Sequence, residues 1–190
     1  VRQLCEERGV KLYVEHFSTD AYAKQQRISI EMAARELRYV FFEKLRQQLG
    51  ADTIAVAHHR DDNVETLLLN LIRGSGLKGL CGMGSKNGYV IRPLLDVTRK
   101  EIEIFLTAEG QAFQTDSTNA QTIYKRNKIR HELLPLLREL NPSVEHTLSE
   151  TMKHLKEVEA ILAEKKKKDA TDRLSLAELQ TSFAPQTLVF

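Results

Sequence analysis

The densest run of chemistry-bearing side chains is Ala57–His58–His59–Arg60–Asp61–Asp62–Asn63–Val64–Glu65–Thr66. Glu65 and Thr66 follow Asp62 by three and four residues, which on a helix puts all three on one face, while His58 stands where a strand hands over to that helix. Two carboxylates and an imidazole so placed can hold Mg²⁺ through oxygen ligands, orient a phosphate ester or move a proton near neutral pH. A plain structural use competes: Asp61 can cap the helix, Glu65 can be a surface charge, and the histidines can pack at a strand end. The polar run from His58 to Asn63 is longer than capping needs. Zinc fits less well, because His58 and His59 are adjacent and their rings diverge, unlike the i, i+4 pair of a helical zinc site.

A second cluster, Lys125–Arg126–Asn127–Lys128–Ile129–Arg130–His131, follows Asp116–Ser117–Thr118–Asn119. Arg126 and Arg130 are four apart, so their guanidinium forks can grip one oxyanion, and phosphate geometry suits them. Arg35 and Arg38 add a third anion contact. Arg73–Gly74–Ser75–Gly76–Leu77–Lys78–Gly79–Leu80, with Gly82 and Gly84, reads as a flexible basic loop able to approach a polyanion, yet it matches neither a Walker A sequence nor a dinucleotide fingerprint.

These residues need elements to position them. Val1, Leu4 and Cys5 have helical spacing and Gly9 stands where a helix would stop. Val10–Phe17 is rich in β-branched and aromatic residues and reads as a strand. Ile30, Ala33, Ala34, Leu37, Phe41, Leu45 and Leu49 form the stripe of a helix ending at Gly50. Asp52–Ala57 reads as a strand buried on both faces of a parallel sheet, followed by a helix capped by Asp61 with Leu67, Leu68, Leu71 and Ile72 inside. Tyr89–Leu94 supplies another strand, and Thr98 to about Glu109 a helix with Glu101 completing a capping box. Tyr124–Leu140 is predicted as one helix kinked at Pro135. Pro142 opens a long amphipathic helix through Val144, Leu148, Met152, Leu155, Val158 and Leu162 that ends in Lys165–Lys168, a solvated run complementing the helix dipole. Alternating strands and helices argue for an α/β sheet with ligands at the carboxyl ends of its strands.

Composition sets the outer limits. The chain has 190 residues, 42% hydrophobic, 28% charged and 6% aromatic with no Trp, which fits a globular domain plus an appendage. The net charge of +2 is too small to announce a nucleic-acid partner by bulk electrostatics. No apolar run reaches the roughly 20 residues of a membrane span, and no secretory leader opens the chain. Cys5 and Cys81 lie far apart without a Cys-x-x-Cys pair, which gives a disulfide or iron–sulfur scaffold little support. The expected compartment is the cytoplasm.

The ordered set of His58–Thr66, Arg73–Leu80, Arg92–Pro93–Leu94–Leu95 and Arg126–Asn127–Lys128–Ile129–Arg130 closely resembles tRNA(Ile)-lysidine synthases, over roughly Val10 to Leu140. The resemblance implies an α/β fold: a parallel-sheet PP-loop (adenine nucleotide alpha hydrolase-like) domain followed by a helical segment. Residues 1–118 would form the PP-loop domain, 119–168 a helical extension, and 169–190 a linker or the start of a further domain. It implies ATP and Mg²⁺ as cofactors and, as partners, free L-lysine and tRNA(Ile) with a CAU anticodon. The wobble cytidine is adenylated at C2 and the lysine ε-amine then displaces AMP. No membrane is involved, and a homodimer stays open.

On that resemblance His58 and Asp62 are the central catalytic residues of the activation step, with Glu65 and Thr66 supporting them and Asp62 taking Mg²⁺. Arg35, Arg38, Arg73, Arg126 and Arg130 contact phosphate, substrate or tRNA, and Asn127 shapes that site. One departure stands out: the family's Ser-Gly-Gly-x-Asp-Ser nucleotide loop occurs nowhere in the sequence. With the opening in mid-helix, this leads to the expectation of a domain lacking its first strand and nucleotide loop, and inactive by itself. Three alternatives compete: a 2-thiocytidine synthase, for which the cysteines are too few; a GMP- or NAD-synthetase-like enzyme; and a non-catalytic tRNA-binding paralogue.

Overall fold

The computed structural model describes residues 1–114 and 125–182, with side chains through 168. The expected Asp116–Asn119 cluster and Tyr124 lie outside them. The chain divides into two compact units, 1–56 with 87–91, and 57–86 with 92–190.

The first unit contains α1 (Arg2–Glu7), α2 (Thr19–Gln26), α3 (Ile30–Leu49) and β1 (Ile54–Ala55). Ser29 starts α3 by accepting Met32 N–H at 3.2 Å, and Gly50 ends it at φ 64°, a left-handed turn that glycine takes without strain. Ala33 is fully buried, and Phe17 meets Phe41 edge-on at 6.1 Å. Arg46 donates to the Ala51 carbonyl at 2.9 Å while its guanidinium stacks 3.8 Å from the Tyr89 ring centroid. Arg46 thereby ties the end of α3 to the chain leading into β1.

Two strand expectations are corrected. Val10–Phe17 forms no strand, since β-propensity cannot make one without a hydrogen-bonding neighbour. The second strand shortens to β1, with Ile54 half-buried and Ala55 exposed rather than both faces covered. With β2 (Lys86–Asn87) and β3 (Val90–Ile91) it gives a sheet of order β1-β3-β2, in which β1 and β3 are parallel, Ile54 opposite Val90 and Ala55 opposite Ile91.

The second unit is mostly helical: α4 (Arg60–Ile72), α5 (Leu77–Leu80), α6 (Arg99–Ala108), α7 (Lys125–Lys128), a π-helical turn (Ile129–Leu133), α8 (Leu134–Leu140) and α9 (Val144–Ser182). Its core joins Val64, Leu67 and Leu68 of α4 to Ile129, Leu134 and Met152. Leu71 and Ile72, expected inside, are exposed at 57% and 67%, since the buried core contacts of α4 stop at Leu68. The basic glycine-rich loop is not wholly irregular, since α5 forms within it. The helix expected over 124–140 carries an unforeseen π turn just ahead of Pro135, whose missing N–H leaves the ladder one donor short. α9 does not end at Lys165–Lys168 but runs on to Ser182. Thr98 and Glu101 form the expected box: Thr98 Oγ1 accepts Glu101 N–H at 3.1 Å and Glu101 Oε2 accepts Thr98 N–H at 2.7 Å.

Candidate functional site

Helix α4 opens differently from expectation. The N-cap is His59, whose N–H donates 3.1 Å to Asp62 Oδ2, so Asp62 satisfies one of the orphan groups of the helix start. Asp61 caps another helix instead: its Oδ2 accepts Arg99 N–H at 3.1 Å at the start of α6. Asp61 was misplaced by one element because capping preference identifies the residue type, while the spatial neighbour decides which helix receives it.

One turn further along α4 sits Glu65, 1% exposed in its side chain. Its carboxylate accepts two hydrogen bonds from Arg130, Nε at 2.6 Å and Nη2 at 3.0 Å, a bidentate fork across 65 residues of sequence. Arg126 Nε lies 3.4 Å from Glu65 Oε2, and Arg126 Nη2 donates to Thr66 Oγ1 at 2.9 Å. Thr66 Oγ1 in turn donates to the Asp62 carbonyl at 2.8 Å. Arg130 Nη2 is also 3.7 Å from Asp62 Oδ1. Burial disfavours the Arg130 cation, but the Glu65 hydrogen bonds and then the charges of Glu65, Asp62 and Asp61 outweigh it, so the pKa of Arg130 is raised.

The structure therefore brings together five expected residues: Asp62, Glu65, Thr66, Arg126 and Arg130. Their exposure separates their roles. Glu65 is sealed, whereas the side chains of Arg130, Asp62 and Arg126 are 24%, 16% and 38% exposed. Arg126 is held by Glu65 and Thr66 while its side chain stays 38% exposed. His58 is half-buried two residues before α4, and Asn127 is buried at 9% between the two arginines in sequence. Arg73, the C-cap of α4, is exposed about 16 Å along the helix from Asp62. Arg35 and Arg38 are exposed on α3 in the first unit, Arg35 with its guanidinium carbon 5.0 Å from the Tyr39 ring centroid.

Three polar residues surround the turn at Met83: Asn63 and Arg92, which the sequence motifs contain but to which no role was given, and Lys156, which sequence reasoning missed. Asn63 Oδ1 accepts Met83 N–H at 2.6 Å, Lys156 Nζ donates to the Met83 carbonyl at 3.0 Å, and Arg92 Nη1 donates to the Gly84 carbonyl at 2.8 Å. Gly82 and Gly84 were visible in the sequence as glycines of a basic loop, but the contacts that Asn63, Arg92 and Lys156 make there depend on residues distant in sequence.

A family model described as a PP-loop domain matches residues 1–137. The chain is 56% identical over 161 residues to the tRNA(Ile)-lysidine synthase of Bacteroides thetaiotaomicron, covering 85% of this chain and 38% of that protein. It is 46% identical over 197 residues to the tRNA(Ile)-lysidine synthase of Porphyromonas gingivalis, covering 100% and 43%, and 38% identical over 165 residues to that of Thermosipho africanus, covering 87% and 39%. The chain spans about two-fifths of the length of these curated relatives. Among solved structures, the U34-tRNA thiolase NcsA of Methanococcus maripaludis superposes with a TM-score of 0.62 at 16% identity, over 81% of this chain and 55% of that one, which establishes a shared fold.

Proposed function

The chain belongs to the PP-loop family, and on that premise we propose that the full-length protein joins lysine to C2 of the wobble cytidine of CAU-anticodon tRNA(Ile), consuming ATP and forming lysidine. The observation that carries this reading is the half-open Arg126, fixed by Glu65 and Thr66 beside the carboxylate of Asp62. In the activation step the cytidine O2 attacks the α-phosphorus of ATP; the new O–P bond forms as the bond to the β-phosphate breaks, and pyrophosphate leaves with the electron pair. The neutral ε-amine of lysine then attacks C2, the C2–O bond breaks, AMP departs, and the amine gives up a proton.

Each residue has a part in this proposal. Arg126 meets phosphate charge as it develops, and Arg130, committed to Glu65, keeps Arg126 and Asp62 at a fixed separation. Glu65 and Thr66 are positioning residues. Asp62 and His58 act at the reacting atoms, Asn127 shapes the site, and Arg35, Arg38 and Arg73 contact tRNA or phosphate. Asp62 would hold Mg²⁺ through a carboxylate oxygen while phosphates supply most other ligands, and the ion serves there to neutralise the triphosphate. Among the described residues no group of three His, Cys, Asp or Glu is arranged to hold a metal ion. No helix among the described residues is long and apolar enough to cross a membrane, and the compartment proposed for a reaction on tRNA is the cytoplasm. In this scheme residues 1–118 are proposed as the PP-loop part, 119–168 as the helical extension and 169–190 as a linker or the start of a further domain.

The test is an assay of the full-length protein with ATP, labelled lysine and a CAU-anticodon transcript. Lysine should enter the RNA and pyrophosphate should be released; failure of the wild type to transfer label ends the reading. The isolated 190-residue chain should show no ATP–pyrophosphate exchange.

A further inference from the structure

The turn Gly82–Ser85 is held by side chains from three directions. Asn63 of α4 and Lys156 of α9 take the N–H and carbonyl of Met83, and Arg92, immediately after β3, takes the Gly84 carbonyl. Arg92 also donates its backbone N–H to the Ser85 carbonyl at 2.8 Å. Only glycine fits at position 82: φ is +66°, and an added Cβ would lie 2.4 Å from Met152 Sδ and 2.5 Å from Asn63 Oδ1.

Charge is what this arrangement leaves unbalanced. Arg92 is 8% exposed, and its Nε is buried with no hydrogen-bond partner. Lys156 is half-buried. Among the described residues both cations end on neutral carbonyl oxygens and neither makes an ion pair. Buried charges are ordinarily paired, since a carbonyl dipole replaces lost hydration only in part. Two cations on adjacent carbonyls of one turn, one with a spare buried N–H, are short of an anion. Gly84, whose carbonyl Arg92 holds, and Ser85 are exposed, so the turn itself borders solvent.

We propose that this turn is a phosphate subsite additional to Arg126, with Arg92 as its principal donor and Lys156 as its second charge. The planar guanidinium suits a phosphate oxygen, and the short glycine turn lets one approach closely. The phosphate comes either from the nucleotide or from the RNA backbone. The inference rests on the reading of the protein as one that handles both.

The experiment uses the full-length protein and two probes, inorganic pyrophosphate for the nucleotide source and a CAU-anticodon transcript for the RNA source. Binding is measured for the wild type, Arg92→Gln, Arg92→Lys and Lys156→Met, with thermal melting alongside. Arg92→Gln keeps an N–H for the Gly84 carbonyl but removes the charge. It should weaken one probe about tenfold, and Arg92→Lys should recover most of that loss. If RNA is the source, the salt dependence of transcript binding should lose about one unit of slope in each charge-removing variant, a change that a merely structural role would not produce. Should Arg92→Gln fail to fold, Lys156→Met carries the same test. Unchanged affinity for both probes in folded variants overturns the subsite, whatever the wild type does with lysine. A wild type that makes no lysidine, with variants that still lose anion binding, overturns the functional reading and leaves the subsite standing.

Discussion

Glu65 holds two arginines at one place on α4, and its value lies in what its loss would expose. A buried ion pair is weak evidence of stability, because desolvation offsets the attraction, but removing one partner strands the other charge. Glu65→Gln leaves Arg130 and Arg126 side by side with a neutral amide, and should cost about 3–5 kcal/mol in urea unfolding; a loss below 1 kcal/mol would show that the arginines find other partners. Asp62→Asn is the contrasting substitution. An amide oxygen can still accept His59 N–H, so stability should change by less than about 1 kcal/mol while lysine transfer is abolished. Near-normal turnover would remove Asp62 from the reaction. The grouping of Asp62, Glu65 and Thr66 was legible because helical spacing fixes a face. That Glu65 is sealed and Arg126 open was not, since both depend on a contact made 60 or more residues away.

At the scale of elements, local chemistry decided what could be foreseen. Helices α3 and α6 carry their own start signals in Ser29 and the Thr98–Glu101 box, and both begin where those signals stand. Val10–Phe17 carries strand propensity alone, and a strand requires a neighbour that its own residues cannot specify. The π turn at Ile129–Leu133 also escaped, because helical periodicity does not register one widened turn. The end of α3 offers a pH test. Glu43 accepts hydrogen bonds from Arg46 Nε at 2.9 Å and Nη2 at 2.8 Å, and from Gln47, and these lower its pKa from the usual carboxylate range to about 2. A lowered folded-state pKa contributes stability that is fully present above the unfolded value and is lost as pH falls through the folded one. The α3 terminus should therefore loosen as pH drops from about 4.5 toward 2, and Glu43→Gln should flatten that dependence. Titrating the Glu43 carboxyl by NMR checks this, and a midpoint at the ordinary carboxylate value contradicts it.

The chain as a whole raises the question of what α9 is for, since its two halves have different surroundings. Val144, Ser149 and Met152 are buried, and Met152 at 1% exposure packs into the core shared with α4 and the Ile129–Leu134 segment. Beyond Lys156 the stripe that periodicity marked as apolar stays in solvent, with Val158 and Leu162 exposed at 47% and 44%. Periodicity revealed that α9 has an apolar side but could not reveal where along its length that side is covered. The first half is thus structural for the second unit, and Lys165–Lys168 is a charged run on a helix that continues past it. Two substitutions separate these roles. Met152→Ala empties a sealed position and should lower stability by about 2–5 kcal/mol, because Leu67, Leu68 and Leu134 are anchored in helices that cannot collapse freely into the space. Replacing Lys165–Lys168 with glutamine should leave unfolding within about 0.5 kcal/mol of the wild type, as expected of exposed positions with good helix formers on both sides of the change. Denaturant unfolding of the two variants side by side decides the matter: equal losses would mean that α9 acts as one packed element along its length, and a Met152→Ala variant as stable as the wild type would mean that the core does not depend on it.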